Sequence, residues 1–433
     1  MGAIERMVVS TVSRRLPPQP HLDVPKREAR ELLNALRSGK PEAQERVRRR
    51  HPKYKDAEIA ALTGLTFRLS DAQWVIACEY GFSKWADLKR RVESNAEAQA
   101  LEHAIRADDR AQAAAILRQN PDLLHIPVRS GNWGPPMSHA ANLGRLALSQ
   151  DFAALGARDF QQAFDRAILQ GHIDCARWLH SRGAQLLPGL IMSACETLNA
   201  AGVRFLAEAG APFTDERGDR LAPLAMVLGT YSRFPEGKHE ILQLFASRGF
   251  PMPDTPMMAL HRGDASRLGE FLRSDARLVD RRFGCEEIFP RELGCREAGM
   301  TGTSLDGTTL LHIAIDYDEQ EIFDLLIAHG ADVNAAAAVD ADGFGGQTPL
   351  FNAAVSCAYL CGRQRGGSMA RTLLERGASP GVRASLRKFL DWIERPRWHA
   401  ARAVTASEWG RSFPLEGWAN PDVLAACDSA TGR

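Results

Sequence analysis

Cys357 and Cys361 stand four residues apart, so a helix through them puts both thiols on one face, where they could share a zinc ion. Cys285 and Cys295 could add ligands, but no histidine and no second close cysteine pair accompanies them. Small core side chains are the plainer reading, and no metal is expected. The run Asp340, Ala341, Asp342, Gly343, Phe344, Gly345, Gly346 opens like a calcium loop, with Gly345 at the sixth position. Its fifth position is Phe344 and its twelfth Phe351, so the bidentate glutamate is missing and a glycine-rich hairpin is left. Arg48, Arg49, Arg50, Lys53 and Lys55 form a basic patch with the charge to meet phosphates. Tyr54 is the single aromatic among them and no recognition helix or zinc finger surrounds them, which suits a solvated helix end. A glycine-rich dinucleotide loop, a Gly-Lys-Ser/Thr phosphate loop and a His-Glu-x-x-His pair are all absent. The chemistry expected is binding, with no catalytic residues and no cofactor.

The elements that would position these residues repeat. Asp306 to Ala314 reads Asp-Gly-Thr-Thr-Leu-Leu-His-Ile-Ala, and Glu321 to Asn334 follows with Ile322, Leu325 and Leu326 at helical spacing before Gly330. Thr309 suits the N-cap of a first helix, and Gly330 the left-handed end of a second. The grammar returns at Thr348-Pro349-Leu350-Phe351-Asn352-Ala353, closing at Gly377, and proline at the first helical position loses no needed N–H. Weaker copies open near Pro135, Ala163, Ile191, Ala222 and Thr255 and close at Gly183, Gly210 and Gly249. Inserts at about 230–238, 282–304 and 335–345 stretch the spacing. A single Ala-rich helix from Glu97 to Arg118 is expected to begin the array.

This pattern resembles the ankyrin repeat, whose signature is Thr-Pro-Leu-His-x-Ala in a unit of about 33 residues. Leu310 stands where the proline belongs in one copy and Phe351 where the histidine belongs in the other. The resemblance implies an all-α ankyrin-repeat solenoid of helix pairs with hairpin-like connections, and it implies that His312 bridges neighbouring loops by hydrogen bonds. Its first helices and hairpin tips would present a preformed surface to a partner. Once the repeats are assigned, no uninterrupted segment is left for an ordinary enzyme domain. A less favoured alternative is an enzyme that uses the 282–304 insert.

Residues 22–95 read as a separate small helical module. Ser70 and Gln73 make a capping box for a helix that Gly81 closes, and Trp85, Leu88 and Val92 mark the next one. This stretch resembles a segment that precedes ankyrin repeats in bacterial proteins. Between Lys26 and Glu93, 16 Lys and Arg face 10 Asp and Glu, whereas the 433-residue chain as a whole carries a net charge of only +1. A basic head thus leads a mildly acidic body. Residues 1–21 read as a flexible leader and 96–433 as the solenoid, with 380–433 as its C-terminal capping unit. No apolar run is long enough to span a membrane. Eight scattered cysteines fit reduced thiols in the cytoplasm better than a disulfide scaffold. The function expected is a scaffold that binds another protein, with Trp133, Asp306, Asp340, Asp342 and Phe344 as contacts because hairpin tips should project there. Nucleic acid held by the basic patch is the alternative partner.

Overall fold

The computed structural model describes residues 14, 16, 22–55, 67–129, 133–296, 299–390, 397–415 and 417–431. The expected leader, 1–21, lies outside these apart from Arg14 and Leu16. The chain divides into two compact units, residues 1–163 and 164–433.

The first unit begins with α1 (Asp23–Arg37), α2 (Pro41–Arg50), α3 (Leu69–Glu79) and α4 (Trp85–Ala107). Leu32, Leu36, Val47, Ala72, Val75, Ile76 and Leu88 meet in one small core. Arg46 forks both guanidinium arms onto Glu79 at 2.8 Å, tying α2 to α3. The start of α3 differs from the sequence expectation. Arg68 is the capping residue, and the Asp71 carboxylate, not Gln73, accepts its backbone N–H at 2.7 Å. A charged acceptor three residues into the helix outcompetes the amide offered by Gln73. The expected helix over 97–118 is also broken. Asp108 takes a left-handed conformation and Asp109 caps a new helix, α5 (Arg110–Gln119), by accepting the Gln112 N–H. Short acidic side chains tolerate that turn and cap the helix beyond it. Next come α6 (Pro136–Asn142) and α7 (Leu146–Ala154); the division between the units falls within α8 (Phe160–Gln170).

The second unit continues as helix pairs: α9 (Ile173–Ser181), α10 (Leu190–Glu196) with α11 (Ala200–Glu208), α12 (Ala222–Gly229) with α13 (Pro235–Ser247), and α14 (Pro256–His261) with α15 (Ala265–Ser274). A short α16 (Cys285–Ile288) lies in the long insert. Then follow α17 (Leu310–Tyr317) with α18 (Gln320–Ala328), and α19 (Pro349–Ala354) with α20 (Cys357–Leu360) and α21 (Ser368–Glu375). Gly183, Gly210, Gly249, Gly330 and Gly377 all close second helices with positive φ, as their spacing predicts. Beyond them stands an element the sequence pattern does not announce, an antiparallel ribbon of β1 (Ala384–Leu390) and β2 (Arg397–Val404). It leads into α22 (Ala406–Ser412) and α23 (Pro421–Ala430), where Trp409 and Trp418 are buried around Phe413.

The insert at 282–304 is a strap. Phe283 pairs with Thr308 to close its base. The Met300 N–H donates to Gly229 O at the end of α12, and the Thr303 hydroxyl lies 3.1 Å from Phe351 O and 3.0 Å from Val355 O at the end of α19. It therefore contacts the repeat before and the repeat after its own. Phe289, Leu293, Cys295, Thr301 and Thr303 are buried in it. Beneath it lies a dry polar cluster. Arg233, fully buried, donates to Asp316 Oδ2 at 2.7 Å and also to the carbonyls of Thr230, Ser232, Met300 and Asp316. Lys238 Nζ sits 2.9 Å from His261 Nδ1 and 3.9 Å above the Tyr317 ring. Because the strap, α20 and α22 cover α17 and α19, every residue of those two first helices is buried. The expectation that first helices present a binding surface therefore fails at these repeats.

Candidate functional site

The site is built upward from His312. Its Nδ1 accepts from the Thr309 amide at 3.3 Å and lies 2.9 Å from the Thr309 hydroxyl, while Nε2 donates to Gln347 O at 3.1 Å. One neutral ring thus fixes its own helix start and the base of the next hairpin, as the resemblance implied. Burial lowers its pKa from 6.5 to about 4, with the Gln347 carbonyl opposing in part. A proton on Nδ1 would face the Thr309 N–H. The unfolded chain takes that proton near pH 6.5 and the folded chain does not until about pH 4. Stability is therefore complete above pH 6.5 and is lost as pH falls from there to about 4, by about 3 kcal/mol for this group. His261, also buried and also lowered well below 6.5, acts in the same direction. Urea-denaturation midpoints measured across that window check this; a flat profile would count against a buried neutral His312.

Gln347 opens onto the hairpin whose tip carries Asp340, Asp342 and Phe344. Asp340 Oδ1 accepts the amides of Asp342 and Phe344 at 3.0 and 2.8 Å, winding the tip into a tight turn. The Phe344 amide, with Arg387 and the Asp342 amide, holds the Asp340 carboxyl below its ordinary range. Gly345, at φ +128°, is required here: a Cβ would meet Ala338 O at 2.0 Å. That close passage lets Gly345 bridge to Val339 on one side and to Ser385 of β1 on the other. The ribbon is thereby docked edge to edge on the repeat hairpin. Arg387 of β1 reaches Asp340 Oδ2 at 2.8 Å and Asp342 Oδ2 at 2.9 Å, and lies over the Phe344 ring. Arg402 covers the same ring at 3.9 Å. Phe389 pairs with Trp398 across the ribbon, with ring centres 5.3 Å apart.

These groups surround a pocket of about 450 Å³, lined by Ser304, Asp306, Val339, Phe344, Gln347, Arg387 and Trp398 among others. Asp306, Asp340 and Phe344 line it directly, and Asp342 joins through Arg387. Its rim is apolar and open: Val339 and Trp398 are each 61% exposed and Phe389 is 41% exposed. Trp133 lies in the first unit, half-buried, under the Arg129 guanidinium at 4.6 Å and edge-on to His139. Arg48, Arg49 and Arg50 form the last turn of α2, with exposed Lys53 and Lys55 beyond it. Tyr54 is buried and so offers no stacking face there. Sequence reasoning missed Arg387, Phe389 and Trp398. Leu386 and Leu390 share a face of the strand, but Lys388 between them breaks the apolar alternation, so no local signal announces the ribbon.

The cysteines are used as packing groups. Cys357 and Cys361 turn their sulfurs to different carbonyls, Met300 O and Tyr231 O, and burial pushes the Cys357 thiol up to about 12. Zinc is bound by thiolate, which that environment disfavours. Among the described residues no group of three His, Cys, Asp or Glu side chains is arranged to hold a metal ion. Gly377-Ala378-Ser379-Pro380-Gly381 has the letters of a hydrolase nucleophile elbow. Here it is an inter-repeat turn, in which the Ser379 amide donates to Asn334 Oδ1 and Asn334 Nδ2 donates to Gly377 O.

Successive helix pairs, three of them opening after a threonine and one bridged to the next by the buried His312, define a helical repeat protein. More particularly, the fold is of the all-α ankyrin-repeat type: the ankyrin-repeat family model matches residues 306–338. A human ASB11 ankyrin repeat domain is similar in structure, at 20% identity over 50% of this chain and 90% of that one, with a TM-score of 0.28. No curated protein matches the sequence. Among the described residues no helix is long and apolar enough to cross a membrane.

Proposed function

We propose that the chain is a non-enzymatic scaffold that binds another protein on the surface formed by the 337–347 hairpin and the β1–β2 ribbon. The observation that carries this reading is the exposed Val339, Phe389 and Trp398 rim around a preformed pocket. Large side chains held open beside polar groups are the usual centre of a recognition surface. The ring of Arg387, Arg402 and Phe344 contacts holds that surface rigid before binding, so little entropy remains to be lost. The division of labour follows the sequence, with 96–433 carrying recognition and 22–95 a separate basic module. Eight cysteines without disulfides suit a cytoplasmic setting.

Capture from host lysate by the full chain tests this. A stoichiometric protein should be retained by the wild type and lost from Trp398→Ala, whose affinity should fall by about 2 kcal/mol. The denaturation midpoint should not move, because Trp398 is 61% exposed and its ring meets the exposed Phe389 and the edge of Arg387. Retention of the same protein by both forms would move the interface elsewhere, and recovery of nucleic acid instead would favour the basic module.

A further inference from the structure

We infer that the pocket between the 337–347 hairpin and the ribbon receives one cationic side chain, a lysine or arginine, from an exposed segment of the partner protein. This rests on the interface proposed above and names the chemistry of its ligand.

The charge of the pocket is incomplete. Arg387 uses both arms of its guanidinium on Asp340 and Asp342. Asp306 is exposed on the same lining, and its Oδ1 accepts the Cys285 amide at 2.7 Å. Among the described residues it has no cationic partner, so the lining retains one uncompensated carboxylate. The second observation is independent of charge. Gln347 is 1% exposed and lines the pocket. Its Nε2 donates to Ser304 O at 3.0 Å, which fixes the amide orientation, and its Oε1 then has no hydrogen-bond partner. A buried acceptor left unpaired is costly, and a donor that enters beside Gln347 and displaces the atoms covering its Oε1 would relieve that cost. The polar demand of this pocket is thus for a donor and for positive charge.

Its walls suit the stem that carries such a group. Val339, Phe344, Leu386 and Trp398 give an apolar passage for methylenes, and the exposed Trp398 ring offers a face to a cation. A small free cation would need only the pocket. The apolar rim continues past it to Phe389, which implies an occupant that continues too, with apolar residues beside the cationic one.

The test is a selection of random displayed peptides on the full chain, followed by anisotropy titration of the best synthetic peptide. Selected sequences should share a lysine or arginine next to apolar residues. Asp306→Asn should weaken binding about tenfold, since it removes the charge but keeps the acceptor for the Cys285 amide. Replacing the peptide's arginine with citrulline, or its lysine with acetyl-lysine, should cost the same on the wild type and little more on Asp306→Asn, which identifies the pair. Peptides that need Trp398 but ignore both Asp306 and the cationic residue would overturn this inference and leave the interface standing. Peptides indifferent to Trp398 as well, or no peptide at all, would overturn both.

Discussion

Replacing Arg233 with methionine is expected to destabilise the second unit by about 3–5 kcal/mol, the usual cost of leaving one member of a buried ion pair alone. Arg233 and Asp316 are both sealed from solvent, and the guanidinium also satisfies four backbone carbonyls on the 230–234 loop, the strap and α17. Methionine keeps the volume and removes every one of those donors. Burial already pushes the Asp316 carboxyl above its ordinary range, and without Arg233 it would take up a proton. The loss should therefore be smaller in mildly acidic buffer than at neutral pH. The paired variant Arg233→Met with Asp316→Leu should recover much of the stability, because the exposed cost is that of the orphaned charge. Urea midpoints for the three forms decide this; a single variant as stable as wild type would mean the pair is not dry.

Trp409→Ala should be comparably severe, at about 3–5 kcal/mol. Trp409 is 1% exposed and is among the largest fully buried side chains of the described residues. It stacks on His399 of β2 and meets Phe413 edge-on, and its Nε1 donates to Thr303 of the strap at 3.2 Å. Ribbon, strap and the last helix pair thus share one ring. Truncation opens a cavity where all three meet, and thermal unfolding should shift down sharply. Trp409→Phe should lose less, since it keeps most of the area and gives up the N–H. Equal effects from both substitutions would assign the stability to the hydrogen bond to Thr303.

Much of the repeat grammar was legible because each unit writes its own boundaries. Thr309 and Thr348 precede first helices, Pro349 occupies a position with no N–H to lose, and Gly330 and Gly377 supply left-handed ends. These are local effects, decided within a few residues. Asp306, Asp340 and Phe344 could be selected for the same reason, as hairpin-tip positions in a known register. Arg387 and Trp398 could not, because their role depends on a ribbon whose alanines at 400, 401 and 403 favour helix in isolation. Pairing with β1 overrides that preference. The strap was visible only as excess length. Its value lies in contacts such as Met300 with Gly229 and Thr303 with Val355, which nothing local encodes.

The strap also sets a timetable for synthesis. A plain repeat array can fold unit by unit as it leaves the ribosome, because each unit needs only the one before it. Here Arg233 waits for Asp316, 83 residues later, and Thr303 waits for Trp409, 106 residues later. The central helix pairs therefore emerge with a buried-type cation and an unfilled aromatic slot, and they complete their packing only when the end of the chain arrives. Such delayed closure makes this half of the protein a late folder, most in need of protection while it is still being made.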